Sequence, residues 1–109
     1  MKKLGVLFLF CLGFLFLSST KVSSSLPIVT HINSKWNQKN SLNVNLLKSC
    51  TVKIGYIEDQ TPEIQNKFTK IPIIVVYKDG VVVKLWEGDI MFQPTTTLKE
   101  IQKVVDSLN

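Results

Sequence analysis

The sequence predicts an α/β domain with a central mixed four-stranded sheet and three flanking helices. The unbroken apolar, mostly β-branched run at 73–77 is typical of a strand that is covered on both faces. Lys78-Asp79-Gly80 follows, and an Asp-Gly pair between apolar runs favours a type I′ turn. The chain then alternates, with Val81, Val83 and Leu85 predicted on one apolar side. These two strands are therefore expected to form an antiparallel hairpin.

Three weaker patterns precede the hairpin. Residues 26–32 are apolar and β-branched enough for a first strand. Leu42, Leu46 and Leu47 recur at near-helical spacing, which predicts a short helix from about Asn40 to Lys48. Residues 51–57 alternate in polarity and predict the second strand.

Helix signals surround the hairpin on both sides. Pro62 suits the first position of a helix that runs to about Thr69. After the hairpin, residues 97–100 form a capping box, from Thr97 to Glu100. An apolar stripe of helical period follows the box and predicts the C-terminal helix; it consists of Leu98, Ile101, Val104, Val105 and Leu108.

The hairpin region resembles the second half of the thioredoxin fold. In that family an Ile-Pro pair with a cis bond opens a buried strand, a Lys-Asp-Gly or Lys-Asn-Gly turn follows, and a glycine ends the next strand. Ile71-Pro72, residues 78–80 and Gly88 match this pattern without gaps. The resemblance implies a minimal thioredoxin-like fold over residues 26–109 and a cis bond before Pro72.

The redox motif of that family is absent at its expected place. The resemblance puts a Trp-Cys-x-x-Cys motif after the first strand, where a helix N-terminus activates the first thiol. Trp36 matches the tryptophan, but Asn37, Gln38, Lys39 and Asn40 follow it. Amides can cap a helix but cannot attack sulfur. The expectation is therefore a protein without the redox centre.

Single candidate residues remain. His31 lies in the first strand and is expected to be a hydrogen-bonded or partly exposed histidine rather than a proton shuttle. Cys50 is predicted at the C-terminal end of the first helix, where the helix dipole raises a thiol pKa, so an inert thiol is favoured over a reactive one. Trp36 and Trp86 are either packing residues or an apolar contact patch.

The N-terminus has the pattern of a secretory signal peptide. Lys2 and Lys3 precede an uncharged apolar run at 4–17, and small residues follow to Ser25. The rival interpretation is a membrane anchor, but the run is shorter than the roughly 20 residues that span a bilayer. We therefore expect cleavage near Ser25, with residues 26–109 as the domain and no stable membrane span afterwards.

Composition excludes several classes of function. Removal of residues 1–25 leaves ten lysines against eight acidic residues, and the chain has no arginine, so nucleic-acid binding is not expected. Cys11 is removed with the leader, which leaves Cys50 without an intramolecular partner. His31 and Cys50 are the only soft ligands in the domain, so neither a metal nor another cofactor is expected.

These observations favour a non-catalytic peptide- or protein-binding or scaffold module of the secretory pathway. The resemblance implies that the residue before the cis-proline offers its backbone to an extended peptide partner, a form of β-addition. The expected binding residues are Trp36, residues 37–40, Ile71 and Pro72. Two alternatives stay open: a redox protein that works through Cys50 alone, and a structural subunit of a secretory complex. Secretion and delivery to a vacuole or another organelle are both compatible with the leader.

Overall fold

The computed structural model describes residues 26–109. The signal peptide predicted at 1–25 lies outside the described residues. No helix within the described range is long and apolar enough to cross a membrane. The regular elements are the strands β1 (Ile28–Asn33), β2 (Thr51–Tyr56), β3 (Ile73–Lys78) and β4 (Val81–Trp86), the helices α1 (Pro62–Lys67) and α2 (Leu98–Ser107), and the 3₁₀ helices Lys35–Asn40, Val44–Leu46 and Ile57–Asp59.

The strands form one mixed sheet in the order β2-β1-β3-β4. β1 pairs with β2 in parallel, with Ile28 opposite Thr51. β1 also pairs with β3 in antiparallel fashion, so that Ile28 lies opposite Tyr77 and Ile32 opposite Ile73. The predicted mixed four-stranded sheet is confirmed, and its geometry puts the end of β1 beside the start of β3.

β3 is buried on both faces because hydrophobic clusters pack on each side of the sheet. On one face Ile74 and Val76 pack with Val29 and with residues of α2, including Ile101 and Val105. On the other face the buried cluster consists of Ile71, Ile73, Val75 and Tyr77. Each fully buried aliphatic side chain contributes roughly 1.5 to 3 kcal/mol of transfer free energy, so this strand anchors the domain.

The hairpin has the predicted turn but not the predicted alternation. Asp79 and Gly80 have φ angles of 54° and 81°, as a type I′ turn requires. The β3–β4 register shifts between Val76, which faces Lys84, and Tyr77, which faces Val82. The expected apolar side of β4 is therefore wrong, because the shift breaks the period of two and residues 81–85 are all exposed on an edge strand.

The predicted first helix differs most from the structure. A helical segment is present between β1 and β2, but it begins at Lys35 rather than near Asn40 and is 3₁₀. It is kinked at Asn37, which has a φ of −113°, and a second short 3₁₀ turn covers Val44–Leu46. Asparagine and serine side chains compete for backbone hydrogen bonds, so this Asn-rich segment does not sustain an α-helix.

The other two helices lie where the sequence predicts them. α1 begins at Pro62, where Thr61 Oγ1 accepts a 3.4 Å hydrogen bond from the Ile64 N–H, and it ends before the predicted Thr69. At α2, Thr97 Oγ1 accepts from the Glu100 N–H at 3.1 Å. In a full capping box the Glu100 carboxylate would accept from the Thr97 N–H. Here it accepts from the Thr96 hydroxyl at 2.8 Å instead.

Candidate functional site

The loop that opens β3 is packed tightly against the segment after β4. The Ile71–Pro72 peptide bond is cis, and both side chains are buried. The Gly88 N–H donates to the Lys70 C=O at 3.3 Å. A Cβ atom added to Gly88 would lie only 1.9 Å from the Ile71 carbonyl oxygen, so a glycine is needed for this close approach.

Buried amides tie the 3₁₀ segment to its surroundings. The Asn37 side-chain amide donates to Asn33 Oδ1 and to the Phe92 C=O, both at 2.9 Å. The Asn33 amide donates in turn to the Asn37 C=O at 2.9 Å and to Ser41 Oγ at 2.7 Å. The Asn40 amide donates to Asn37 Oδ1 at 2.8 Å. Asn37 and Asn40, which occupy the positions of the two expected cysteines, thus contact each other within a fixed polar network.

The remaining predicted residues of this segment lie on the surface. Trp36 is 65% exposed, and its ring meets the Phe92 ring edge-on at a centroid distance of 5.1 Å. Gln38 and Lys39 are exposed, and Gln38 Oε1 accepts from the Tyr56 hydroxyl at 3.5 Å. Of the predicted binding residues, Trp36 therefore offers the largest apolar surface, whereas Asn37, Ile71 and Pro72 are internal.

A shallow groove of about 340 Å³ joins Trp36 to the Ile71 segment. Sequence reasoning did not identify most of the groove, because its walls come from separate loops that only the fold brings together. Phe68 falls within the helix predicted from Pro62 to about Thr69, but it was not predicted as part of a site. The lining residues are Ser34, Trp36, Ile57, Glu58, Gln65, Phe68, Thr69, Ile71 and Phe92.

Glu58 fixes the entrance of the 3₁₀ segment from across the groove. Its carboxylate accepts hydrogen bonds from the Ser34 hydroxyl and, at 3.3 Å, from the Lys35 N–H. The Ser34 hydrogen bond is the main cause that lowers the pKa of Glu58. Ser34, the residue before this 3₁₀ helix, supplies no side-chain cap of its own, so Glu58 caps the segment instead.

A tight loop displays two apolar side chains next to Phe92 in the chain. Asp89 Oδ1 accepts from the Met91 N–H at 2.8 Å and from the Gln93 N–H at 3.0 Å. The Asp89 C=O accepts from the Phe92 N–H at 2.9 Å. Ile90 and Met91 are consequently held outwards, with exposed fractions of 76% and 69%. These two side chains therefore add exposed apolar surface beside Phe92 in the chain.

Cys50 lies at the other end of the sheet. It directly precedes Thr51, whose partner Ile28 faces the end of β3 rather than its start. Burial, followed by the nearby Asp106 carboxylate, raises the pKa of the Cys50 thiol. The predicted position at a helix C-terminus is wrong, because Cys50 follows a bend in which Ser49 has a φ of 64°.

His31 and Trp86 are structural. His31 is 3% exposed, its Nε2 accepts from the Leu42 N–H at 3.2 Å, and burial lowers its pKa. Trp86 is 8% exposed within the core, so it does not join Trp36 in a contact patch. Within residues 26–109, no group of three or more His, Cys, Asp or Glu side chains is arranged to hold a metal ion.

Comparison with known proteins identifies the fold. Neither a protein-family model nor a curated protein matches the sequence. Among solved structures, the chain is similar to a mutant thioredoxin from Halobacterium salinarum NRC-1, with a TM-score of 0.57 and 13% sequence identity. The match covers 78% of this chain and 76% of that one. The chain therefore has a thioredoxin-like fold, and a likeness at this identity shows the fold alone.

Proposed function

We propose that this chain is a non-catalytic peptide- or protein-binding module of the secretory pathway. The observation that carries the proposal is the groove, in which the exposed Trp36 ring lies against Phe92 and shares a wall with Ile71. Tryptophan residues in such positions often supply a large part of the binding free energy of an interface. The groove occupies the end of the sheet where the fold brings its loops together.

The residues of this end favour binding over thiol chemistry. Asn37 and Asn40 hydrogen-bond to each other, and an amide nitrogen is not a nucleophile toward sulfur. Cys50, the remaining candidate for redox chemistry, lies at the opposite end of the sheet, and burial raises its thiol pKa. A higher pKa reduces the thiolate fraction at neutral pH, which is the reactive form.

Side chains, rather than the Ile71 carbonyl, are proposed to make the main contact. That carbonyl is packed against Gly88, which restricts its access to a bound peptide. Trp36, Phe68 and Phe92 instead line the groove with aromatic surface. Aromatic rings bury a large area at a small cost in side-chain entropy, so they are suited to holding an apolar side chain of a partner.

The cellular part of the proposal depends on the leader pattern at 1–25. A positively charged start, an apolar run and a small-residue stretch direct a chain into the secretory pathway. Secretion and delivery to a vacuole or another organelle are both consistent with this pattern.

Peptide display on the purified full-length gene product tests the proposal. A randomised library of short unstructured peptides is selected on the protein, and the affinity of recovered peptides is measured by fluorescence polarisation. Trp36→Ala is expected to weaken binding about tenfold to thirtyfold, as for an interface hot spot of about 1.4 to 2 kcal/mol. Unchanged affinity in this variant would remove the groove as the binding site.

Leu46→Ala is the matched control. Leu46 is 63% exposed, close to the 65% of Trp36, but it lies on the Val44–Leu46 3₁₀ turn and does not line the groove. Its replacement removes an apolar side chain that is exposed to a similar fraction, and it is expected to leave the affinity unchanged. An equal loss in both variants would indicate non-specific adhesion to exposed apolar residues.

A further inference from the structure

Glu58 places a negative charge in the lining of the groove. Among the described residues that line it, Glu58 is the only charged side chain. The other lining residues are apolar or neutral, including Ser34, Gln65 and Thr69. The Lys67 ammonium group is not part of the lining but lies 5.9 Å from the centroid of the Phe68 ring. A positive charge on a ligand is therefore favoured at the Glu58 carboxylate rather than along the whole wall.

The Glu58 carboxylate is held in place before any ligand arrives. Ser34 donates its hydroxyl and Lys35 donates its backbone N–H to the carboxylate. Two carboxylate oxygens offer about four lone-pair sites, so these two hydrogen bonds leave acceptor capacity for a ligand. Because the side chain is already fixed, a ligand that binds it orders less of the protein.

Lys35 has only a weak effect on the charge of Glu58. The Lys35 ammonium group lies over the Tyr56 ring, 5.5 Å from its centroid. The Lys35 charge also acts on the carboxylate, but it is the smallest of the causes that shift the pKa of Glu58. The negative charge of Glu58 is thus available at the groove.

We propose that the groove selects segments in which an apolar side chain lies next to a lysine or arginine. This inference rests on the proposed binding function and names its ligand class. The apolar side chain contacts the aromatic wall formed by Trp36, Phe68 and Phe92, and the cation reaches Glu58. An arginine fork or a lysine ammonium can each donate to a carboxylate.

Three fluorescein-labelled peptides of the same short frame test the selectivity on the full-length protein. Their centres are Leu-Lys-Leu, Leu-Gln-Leu and Leu-Glu-Leu, and binding is measured by fluorescence polarisation at low salt. We expect the lysine peptide to bind about threefold to fivefold more tightly than the glutamine peptide, the range for an exposed charge pair. The glutamate peptide is expected to bind most weakly, and high salt should reduce both differences.

Glu58→Gln separates charge from structure, because its amide oxygen can accept from the Lys35 N–H while its NH2 group donates to the Ser34 hydroxyl oxygen. The preference for lysine over glutamine is expected to disappear in this variant, while the affinity for the glutamine peptide stays the same. Asp59→Asn is the control: Asp59 is the neighbouring acid but does not line the groove, so this variant should keep the preference.

The outcomes distinguish this inference from the proposed function. Equal binding of all three peptides to the wild-type protein would overturn the charge selectivity and leave groove binding standing. A preference that survives in Glu58→Gln, or is lost in Asp59→Asn, would also overturn it. Failure of these three peptides alone rejects the ligand class, whereas failure of the whole random library rejects the binding function as well.

Discussion

The two ends of the sheet are built in different ways. At the end where β1 finishes and β3 begins, side chains such as Asn33 and Asn37 hold loops to one another, and a groove opens beside Trp36. At the other end, α2 closes the surface by bonding to backbone groups. The Gln102 side chain accepts from the Lys48 N–H and donates to the Lys48 C=O, both at 2.9 Å.

This difference separates the end where binding is expected from the end where Cys50, the one cysteine of residues 26–109, lies. The groove end combines a rigid polar interior with exposed apolar side chains, which is the combination that pre-organised binding surfaces use. The Cys50 end offers a partly buried thiol of raised pKa beside Asp106. We therefore expect partners to bind at the groove end, and we expect a reactive thiol at neither end of the sheet.

The largest expected effect is at Gly88. Gly88→Ala would place a Cβ atom 1.9 Å from the Ile71 oxygen and 2.9 Å from the Pro72 nitrogen, and backbone atoms cannot move aside cheaply. We expect a loss of about 3 kcal/mol or more in the free energy of unfolding, measured by urea denaturation. Gly55→Ala is the control, because its nearest neighbour is the flexible Gln60 side chain at 3.4 Å. Equal stability of the two variants would contradict the close packing of the groove end.

Removal of the central amide is expected to cost less. Asn37→Ala removes the side-chain donor of the Phe92 C=O and one of the two donors to Asn33 Oδ1, which keeps the Ser34 N–H. Buried polar groups that lose a partner cost about 1 to 3 kcal/mol, so we expect a destabilisation of about 2 kcal/mol in urea denaturation. The exposed neighbour Gln38→Ala should stay within about 0.5 kcal/mol of wild type. If Asn37→Ala is equally mild, the amide network does not hold the groove end together.

Acid is expected to weaken the domain through His31, which lies between the two ends. Burial lowers its folded-state pKa below the unfolded value of about 6.5. The unfolded chain then binds more protons, so stability is full above that pH and falls as the pH drops towards the folded pKa. Protonation would also remove the acceptor that Nε2 provides for the Leu42 N–H.

Urea denaturation between about pH 7 and pH 5 measures this effect and stays above the range in which carboxylates such as Glu58 protonate. His31→Gln retains an oxygen acceptor but does not titrate, so its stability should vary less with pH in this interval. A wild-type protein whose stability does not decline towards the acid end of this range would contradict the burial of a neutral imidazole.

The smallest effect concerns the thiol. Cys50 is expected to react with a disulfide reagent more slowly than a free cysteine near neutral pH, because its pKa is raised. Asp106→Asn should increase the rate by less than about fivefold, since a partly exposed charge interaction is worth no more than about 1 kcal/mol. Asp59→Asn, at the groove end, should leave the rate unchanged. A wild-type rate above that of free cysteine would revive the single-thiol redox alternative.

Local patterns with a single physical interpretation were predicted well. The 73–77 run could bury itself on both faces only as a central strand, and Asp79-Gly80 could supply the two positive φ angles of a tight turn. The start of α2 was predicted correctly at Thr97, because the capping residue and the apolar stripe that follows it both indicate a helix that begins there. These features depend on neighbours in the chain, so the sequence is sufficient for them.

Features that depend on distant partners were predicted less well. The leucine spacing at 42–47 suggested an α-helix, but bonds between Asn33, Asn37 and Ser41 favoured kinked 3₁₀ turns. The sequence left open whether Trp86 is a packing residue or part of a contact patch, and only the fold shows that α2 and the sheet enclose it. Neither the 3₁₀ turns nor the burial of Trp86 can be predicted from a short stretch of sequence.

The sequence by itself determined the order of the strands along the chain, the hairpin, the C-terminal helix and the absence of a paired-cysteine motif, because each follows from residue type and short-range spacing. Only the tertiary structure decided the groove and its chemistry. Trp36, Glu58, Phe68 and Phe92 lie on four separate segments, and their meeting depends on the pairing of β1 with both β2 and β3. Long-range strand pairing brings those loops to one end of the sheet, and no local pattern encodes which side chains then face each other.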